Sequence, residues 1–139
     1  MRIPKPALIV PCVVLLIYLF VPGVRQRPWT ALRIAGAIIA LAGYILFITA
    51  RLQLGESFSV APQAKQLVTH GLYSRIRNPI YIFIAVMWLG LIVALHLNYL
   101  FVPFVALLIM HLIRARQEAK ILQERFGEAY LNYWKQTWF

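Results

Sequence analysis

The segment at residues 71–81 reads GLYSRIRNPIY and places several hydrogen-bonding side chains directly before a long apolar run. Arg75 and Arg77 are suited to bind carboxylate or phosphate, and the helix start expected after Asn78 also favours anions. Taken singly, the arginines are typical topology signals and Asn78 is an ordinary N-cap. Taken together, these side chains indicate a polar site at the edge of the apolar region.

A second polar pair, Arg114 and Glu118, follows the next apolar stretch. The two residues are four positions apart, so on a helix they share one face. One interpretation is a surface ion pair, which contributes only a few tenths of a kcal/mol. The other interpretation is ligand binding, since the arginine would attract an anionic group and the glutamate a cationic one. With the segment at 71–81, the pair would suit a zwitterionic ligand.

The composition places these residues in an integral membrane protein. The chain has 139 residues, of which 62% are hydrophobic, and several apolar stretches approach bilayer length. Its net charge is +10, but the basic residues flank the apolar runs, which favours membrane lipids over nucleic acid as partners. Cys12 is the only cysteine, so an internal disulfide and a cysteine-based metal site are excluded, and no metal site is predicted.

The pattern of apolar runs predicts an all-α membrane protein of one domain with about four transmembrane helices. The first two spans are expected at 7–21 and 32–52, within an N-terminal part at 1–52. The run at 79–113 would be about 50 Å long as one helix, too long for a bilayer core of about 30 Å. We therefore expect a helical hairpin, spans three and four, that turns at the polar residues 96–98. Pro103 is expected to bend the fourth span.

Two further features of the spans carry predictions. The first run follows Arg2 and Lys5 as a signal peptide would, but the small residues of a cleavage site are missing, which favours a retained helix. The small residues of span two predict a close approach to another helix. These are Gly36, Ala40 and Gly43.

Charge distribution predicts the orientation. The hairpin loop has no Lys or Arg, whereas the polar connection at 53–78 and the amphipathic segment at 114–139 are basic. Both termini, the connection and the C-terminal amphipathic helix are therefore expected in the cytoplasm. Arg25, Arg27 and Arg33 argue weakly for the opposite orientation. The compact chain suggests a multi-pass protein of a prokaryotic cytoplasmic membrane. A location in the endoplasmic reticulum stays open, and so does the oligomeric state.

Two blocks of the sequence are similar to a known family. LVTHGLYSRIRNPIY at 67–81 and EAKILQERFGEAYLNY at 118–133 resemble, in order and spacing, the motifs of isoprenylcysteine carboxyl methyltransferases and phospholipid N-methyltransferases. LGESFS at 54–59 also looks like the start of the family's loop. Two positions depart from the family pattern. Asn78 stands in place of histidine, keeping hydrogen bonding but no acid–base role near neutral pH, and Ala119 replaces a second glutamate.

The resemblance implies S-adenosylmethionine as the methyl donor, bound mainly by the connection at 53–78. It also implies that Arg114 binds substrate and takes part in catalysis with Glu118. The cofactor-binding residues carried over from the family are Lys65, Gln66, Leu67, Val68, Tyr73, Asn78, Pro79, Tyr81 and Glu118.

The reaction class stays open at this point, and so does the acceptor, which is a prenylcysteine, a phospholipid amine or another isoprenoid. A carboxylate acceptor, as in a prenylated substrate, needs no base, whereas a lipid amine must lose a proton, for which Glu118 or His70 is available. A glycine-rich nucleotide loop is absent from the sequence, so cofactor binding rests on the resemblance. The alternatives are an NADPH-dependent membrane reductase of sterol or enone type and a non-enzymatic small membrane protein.

Overall fold

The computed structural model describes residues 11, 13–15, 17–18, 21–55 and 67–139. Within that part of the chain all regular structure is helical, as predicted, and the only β-bridge pairs Ile76 with Trp138. The four main helices are α1 (Ala31–Leu54), α2 (Pro79–Leu95), α3 (Phe101–Phe126) and α4 (Glu128–Gln136). Shorter helical turns lie at Pro22–Arg25, Gly71–Ser74 and Asn98–Leu100.

Glycines bring α1 and α2 into close backbone contact. A Cβ added to Gly90 of α2 would lie 2.3 Å from the backbone nitrogen of Ala40, and one added to Gly43 of α1 would lie 2.6 Å from that of Met87. Gly36 approaches α2 in the same way. Any larger residue at these positions would force the helices apart. The predicted close approach of span two is confirmed, and among the described helices α1 and α2 make the most extensive contact.

The segment before α1 is fixed by a buried arginine. Arg33 is 2% exposed, and its guanidinium donates hydrogen bonds to the carbonyls of Arg27 at 2.6 Å and Val24 at 2.9 Å. The same guanidinium lies 4.4 Å from the centre of the Trp29 ring. Thr30 caps the helix by accepting a hydrogen bond from the Arg33 backbone N–H. Because burial of a charge is unfavourable without hydrogen bonds, these carbonyls hold the segment against α1.

Two helical stretches are long and apolar enough to cross a bilayer, Ala31–Leu54 and Asn98–Phe126. The apolar helix α2 has 17 residues, and at 1.5 Å per residue it is about 26 Å long. The first predicted span, at 7–21, falls largely outside the described residues. The total of four spans and the membrane hairpin therefore remain predictions.

The turn between α2 and α3 lies where the polar residues predicted it. α2 ends at Leu95, and His96 adopts the left-handed conformation with φ of 56°. Pro103, which was expected to bend the following span, lies in the first turn of α3. A first-turn proline lacks an N–H that has no intrahelical partner in any case, so it begins the helix instead of interrupting it.

The C-terminal region differs in its helix boundaries from the expectation of a separate segment at 114–139. α3 continues without a break past residue 113 to Phe126. Gly127, with φ of 50°, then ends α3 and separates it from the shorter α4. The interruption predicted at Gly127 is therefore confirmed, and the residues around Glu118 belong to the same helix as the apolar run before them.

Candidate functional site

A hydrogen bond joins the two blocks that the sequence analysis singled out. The hydroxyl of Tyr81, in the first turn of α2, donates to Oε1 of Glu118 in α3 at 2.5 Å. Both side chains are half-buried. The bond is charge-assisted, which makes it short and about twice as strong as a neutral one. It therefore orients the carboxylate towards the start of α2.

His111 belongs to the same cluster, although the sequence analysis did not identify it. Its ring stacks on that of Tyr81 with a centroid distance of 4.9 Å and an interplanar angle of 27°. The residue is 8% exposed, and its Nδ1 is buried with no hydrogen-bond partner among the described residues. A buried nitrogen without a partner is unfavourable for folding, which makes it a candidate for contact with a ligand.

Arg114 lies between His111 and Glu118 on α3, one turn from each. Its positive charge acts on both of these residues and on Tyr81. The spacing of the three α3 residues, at positions i, i+3 and i+7, is the sequence signal that could have found His111. An imidazole, a guanidinium and a carboxylate thus follow one another along one face of α3, and the first and the last of them contact Tyr81 at the start of α2.

Tyr73 connects this cluster to the segment before α2. It is 6% exposed and packs with Phe47, Ala50 and Ile80. Burial raises the pKa of its hydroxyl well above the ordinary value, and the nearby Tyr133 and Glu118 add to this increase. Tyr81, in the same segment as Tyr73, contacts Glu118 directly through its hydroxyl. The segment at 71–81 and the second half of α3 therefore converge, as predicted.

A residue near the end of α1 fixes the segment around Tyr73. Oε1 of Gln53 accepts a hydrogen bond of 2.8 Å from the backbone N–H of Leu72. Gly71 has φ of 60°, and a Cβ at this position would lie 2.5 Å from the Gln53 side chain. A glycine is therefore required here both by the backbone conformation and by the contact.

Residues 75–78 pair with the last residues of the chain. The backbone N–H of Arg77 donates to the carbonyl of Trp138 at 3.2 Å, and that of Asn78 donates to the oxygen of Phe139 at 3.0 Å. The Trp138 N–H donates in turn to the carbonyl of Arg75 at 2.9 Å. Asn78 occupies the N-cap position of α2, but its side chain makes no capping hydrogen bond. The backbone N–H groups of the two residues directly before α2 therefore bind this tail.

α4 contacts the same segment through side chains. The guanidinium carbon of Arg77 lies 3.4 Å from the centre of the Trp134 ring, a cation–π contact. Tyr133 is buried, and its hydroxyl donates to the carbonyl of Tyr73 at 2.7 Å. Arg77 thus docks α4 in addition to contributing basic charge.

The carried-over cofactor residues fall into three groups. Tyr73, Tyr81 and Glu118 meet in the cluster described above. Val68 and Pro79 have packing positions: Val68 contacts the apolar cluster around Phe47, and Pro79 is fully buried. Leu67 and Asn78 are half-buried, and Lys65 and Gln66 lie outside the described residues. Binding roles for all of these residues remain predictions.

The cluster of Tyr81, His111, Arg114 and Glu118 can hold a ligand with both signs of charge. The carboxylate retains acceptor positions for an ammonium, and the guanidinium suits a phosphate or carboxylate. Within the described residues, no group of three or more His, Cys, Asp or Glu side chains is arranged to hold a metal ion.

The sequence also matches a known protein family. A family model described as phospholipid methyltransferase matches residues 31–129, from the first residue of α1 into α4. The matched region contains Tyr73, Tyr81, His111, Arg114 and Glu118. A search of curated proteins gave no match.

Proposed function

The chain belongs to the phospholipid methyltransferase family, and on this premise we propose that it transfers a methyl group from S-adenosylmethionine to a lipophilic acceptor at the membrane surface. The family is one of methyltransferases that act on membrane lipids. The observation that supports the location of the site is the hydrogen bond between Tyr81 and Glu118. It joins residues 37 positions apart at the point where the two motif blocks meet.

The residues of the cluster fit this cofactor. S-adenosylmethionine carries an ammonium and a carboxylate, and when bound it supplies a methyl group on a sulfonium that becomes a neutral thioether. Glu118 uses one oxygen to accept from Tyr81 and keeps capacity to accept from the ammonium. Nδ1 of His111, which has no partner in the described part of the chain, leaves a further polar contact to be satisfied. We assign cofactor binding to Glu118 and the orientation of its carboxylate to Tyr81.

We assign the acceptor to Arg114. Its guanidinium would hold an anionic group of the acceptor, a carboxylate or a lipid phosphate, one turn from Glu118. Alignment of the acceptor with the methyl group is the main requirement of this displacement. The apolar surfaces of α2 and α3 would exclude water from the same place. An amine acceptor must also release a proton, and Glu118 and His111 are the two groups in the cluster that can take it.

Binding of the cofactor product tests the proposal. Purified protein in detergent is titrated by calorimetry with S-adenosylhomocysteine and, separately, with NADPH. We expect S-adenosylhomocysteine to bind, Glu118→Gln to weaken that binding, and Glu124→Gln, an exposed glutamate of the same helix, to leave it unchanged. Binding of NADPH alone would favour the membrane reductase, and equal affinity in both glutamate variants would remove Glu118 from the site.

The acceptor class is tested by methyl transfer. Radiolabelled S-adenosylmethionine is offered with a prenylated cysteine or with phosphatidylethanolamine in nanodiscs, and the label in the lipid fraction is measured. Incorporation into one of the two identifies the class, and Arg114→Gln should raise the KM for that acceptor. Label in neither acceptor, in protein that binds the cofactor, would exclude both of these substrates.

A further inference from the structure

An apolar cleft lies at the end of α2 that is remote from the candidate site. Its volume is about 100 Å³, and its lining is entirely apolar. The lining comes from residues 13, 14 and 17, from α2 and from the turn after it, and includes Val14, Ile17, Trp88, Leu91 and Leu95. An apolar cavity of such a size stays dry and accepts hydrocarbon. Tyr81 is 14 positions before Leu95 on α2, about 21 Å along the axis.

A basic segment lies beside this cleft. Val24 is 3% exposed and packs with Leu95 and Leu97, which are both cleft residues. Nη1 of Arg27 donates a hydrogen bond of 3.4 Å to the carbonyl of His96, which lies between Leu95 and Leu97. Arg25 is exposed on the same helical turn as Val24. Arg25 and Arg27 are therefore held next to the cleft by apolar packing and by one hydrogen bond.

Among the described residues, no acid lies near the positive charge at this end. The described acids, Glu118, Glu124 and Glu128, all lie in the last third of α3 or in α4. Arg33 is buried against the carbonyls of Val24 and Arg27 and fixes the segment. The guanidinium groups of Arg25 and Arg27 are thus exposed, and no carboxylate of the described residues lies opposite them.

We propose that this cleft binds one anionic phospholipid of the adjacent leaflet. An acyl chain enters the cleft, and the phosphate lies at Arg25 and Arg27. Apolar volume beside unbalanced basic charge matches that ligand, and the position of the cleft separates it from the candidate methyl-transfer site. The inference is independent of the proposed catalytic function.

The test measures lipid retention. Protein purified in detergent is supplied with phosphatidylglycerol or phosphatidylcholine, and bound lipid is counted by native mass spectrometry. An arginine near the surface contributes about 1 kcal/mol to binding of anionic lipid, so Arg25→Gln should weaken phosphatidylglycerol binding about fivefold. Arg25→Gln/Arg27→Gln should weaken it about 25-fold.

Two further variants distinguish the contribution of the positive charge to lipid retention from the contribution of the cleft. Val14→Phe fills the cleft without changing charge and should reduce the retention of phosphatidylglycerol. Arg116→Gln/Arg125→Gln removes the same charge from exposed positions on α3 and should leave retention unchanged. Equal retention in wild type and Arg25→Gln, or equal affinity for the two lipids, would overturn the proposal.

Discussion

The hydroxyl of Tyr133 in α4 donates a hydrogen bond of 2.7 Å to the backbone carbonyl of Tyr73, 60 positions earlier in the chain. The bond is buried, and Tyr73 packs in the cluster that contacts α1 and α2. α4 is therefore attached to the same segment that carries the first block of candidate site residues. The bond therefore links α4 to the segment that carries Tyr73 and Tyr81.

Loss of the Tyr133 hydroxyl should destabilise the protein. Tyr133→Phe leaves the Tyr73 carbonyl buried without its partner, which costs about 1 to 3 kcal/mol of the free energy of unfolding. Thermal unfolding in detergent should show a lower Tm for this variant. Tyr99→Phe, at a side chain that is 71% exposed, is the matched control and should leave Tm unchanged. Equal Tm values for the two variants would contradict a structural role for the bond.

The same residue predicts how stability depends on alkaline pH. Burial, with the neighbouring Tyr130, raises the pKa of Tyr133 to about 12 from the ordinary 10.0, while Arg77 opposes the shift. In the unfolded chain the hydroxyl ionises near pH 10, so between about pH 10 and 12 only the unfolded state releases the proton. The stabilisation is complete below pH 10 and is lost as the pH rises through 12. Tm measured across this range should fall less in Tyr133→Phe than in wild type, and parallel curves would show that Tyr133 ionises equally in both states.

A double-mutant cycle tests the pairing of Tyr81 with Glu118 in cofactor binding. A hydrogen bond to a charged group contributes about 1.5 to 3 kcal/mol, so Tyr81→Phe should weaken S-adenosylhomocysteine binding about tenfold or more. Glu118→Gln should weaken it at least as much. Because the two residues act through one bond, the double variant should bind no more weakly than Glu118→Gln alone. Additive losses in calorimetric Kd values would show that the residues contact the ligand separately.

His111 should show opposite effects on stability and activity. His111→Phe keeps the ring stack on Tyr81 and removes the buried nitrogen that lacks a partner, so Tm should rise. If the nitrogen contacts a ligand, methyl transfer should fall in the same variant. His70→Gln, at an exposed histidine of the connection, should change neither quantity. Full activity in His111→Phe would assign His111 to packing alone.

Cysteine labelling tests the predicted orientation of the chain in the membrane. In a Cys12→Ser background, Tyr99→Cys places a thiol in the exposed turn between α2 and α3, and Lys135→Cys places one in α4. A membrane-impermeant maleimide added to intact bacterial cells should label the first variant, and it should label the second only after permeabilisation. The reverse pattern would place the termini and the candidate site outside the cytoplasm.

Apolar periodicity and breaker residues made the helices of the described part predictable. The turn at His96, the break at Gly127 and the close approach at Gly43 each follow from a local property of one residue. The prediction for Pro103 was wrong because proline is found both in the first turn of a helix and at bends within helices. Within a continuous apolar run, the sequence does not show at which residue the helix begins.

The site was predictable only in part, for a different reason. Motif resemblance identified Tyr81 and Glu118, and the structure brings them within hydrogen-bonding distance. His111 went unnoticed because it lies within an apolar stretch, and its importance comes from stacking on a residue 30 positions away. Arg33 was counted as a topology signal, but it is buried and bonds to carbonyls, so its charge argues less strongly against the predicted orientation than its presence in the sequence suggested.

Main-chain atoms alone form the pairing of residues 75–78 with Trp138 and Phe139. Because such a contact tolerates almost any side chain, alanine scanning of the tail would not detect it. Sequence differences among relatives at these positions would not reveal it either. Only a change to the peptide group itself would expose it. Trp138→Pro deletes the amide that donates to Arg75 and would loosen the start of α2 without replacing any side chain of the candidate site.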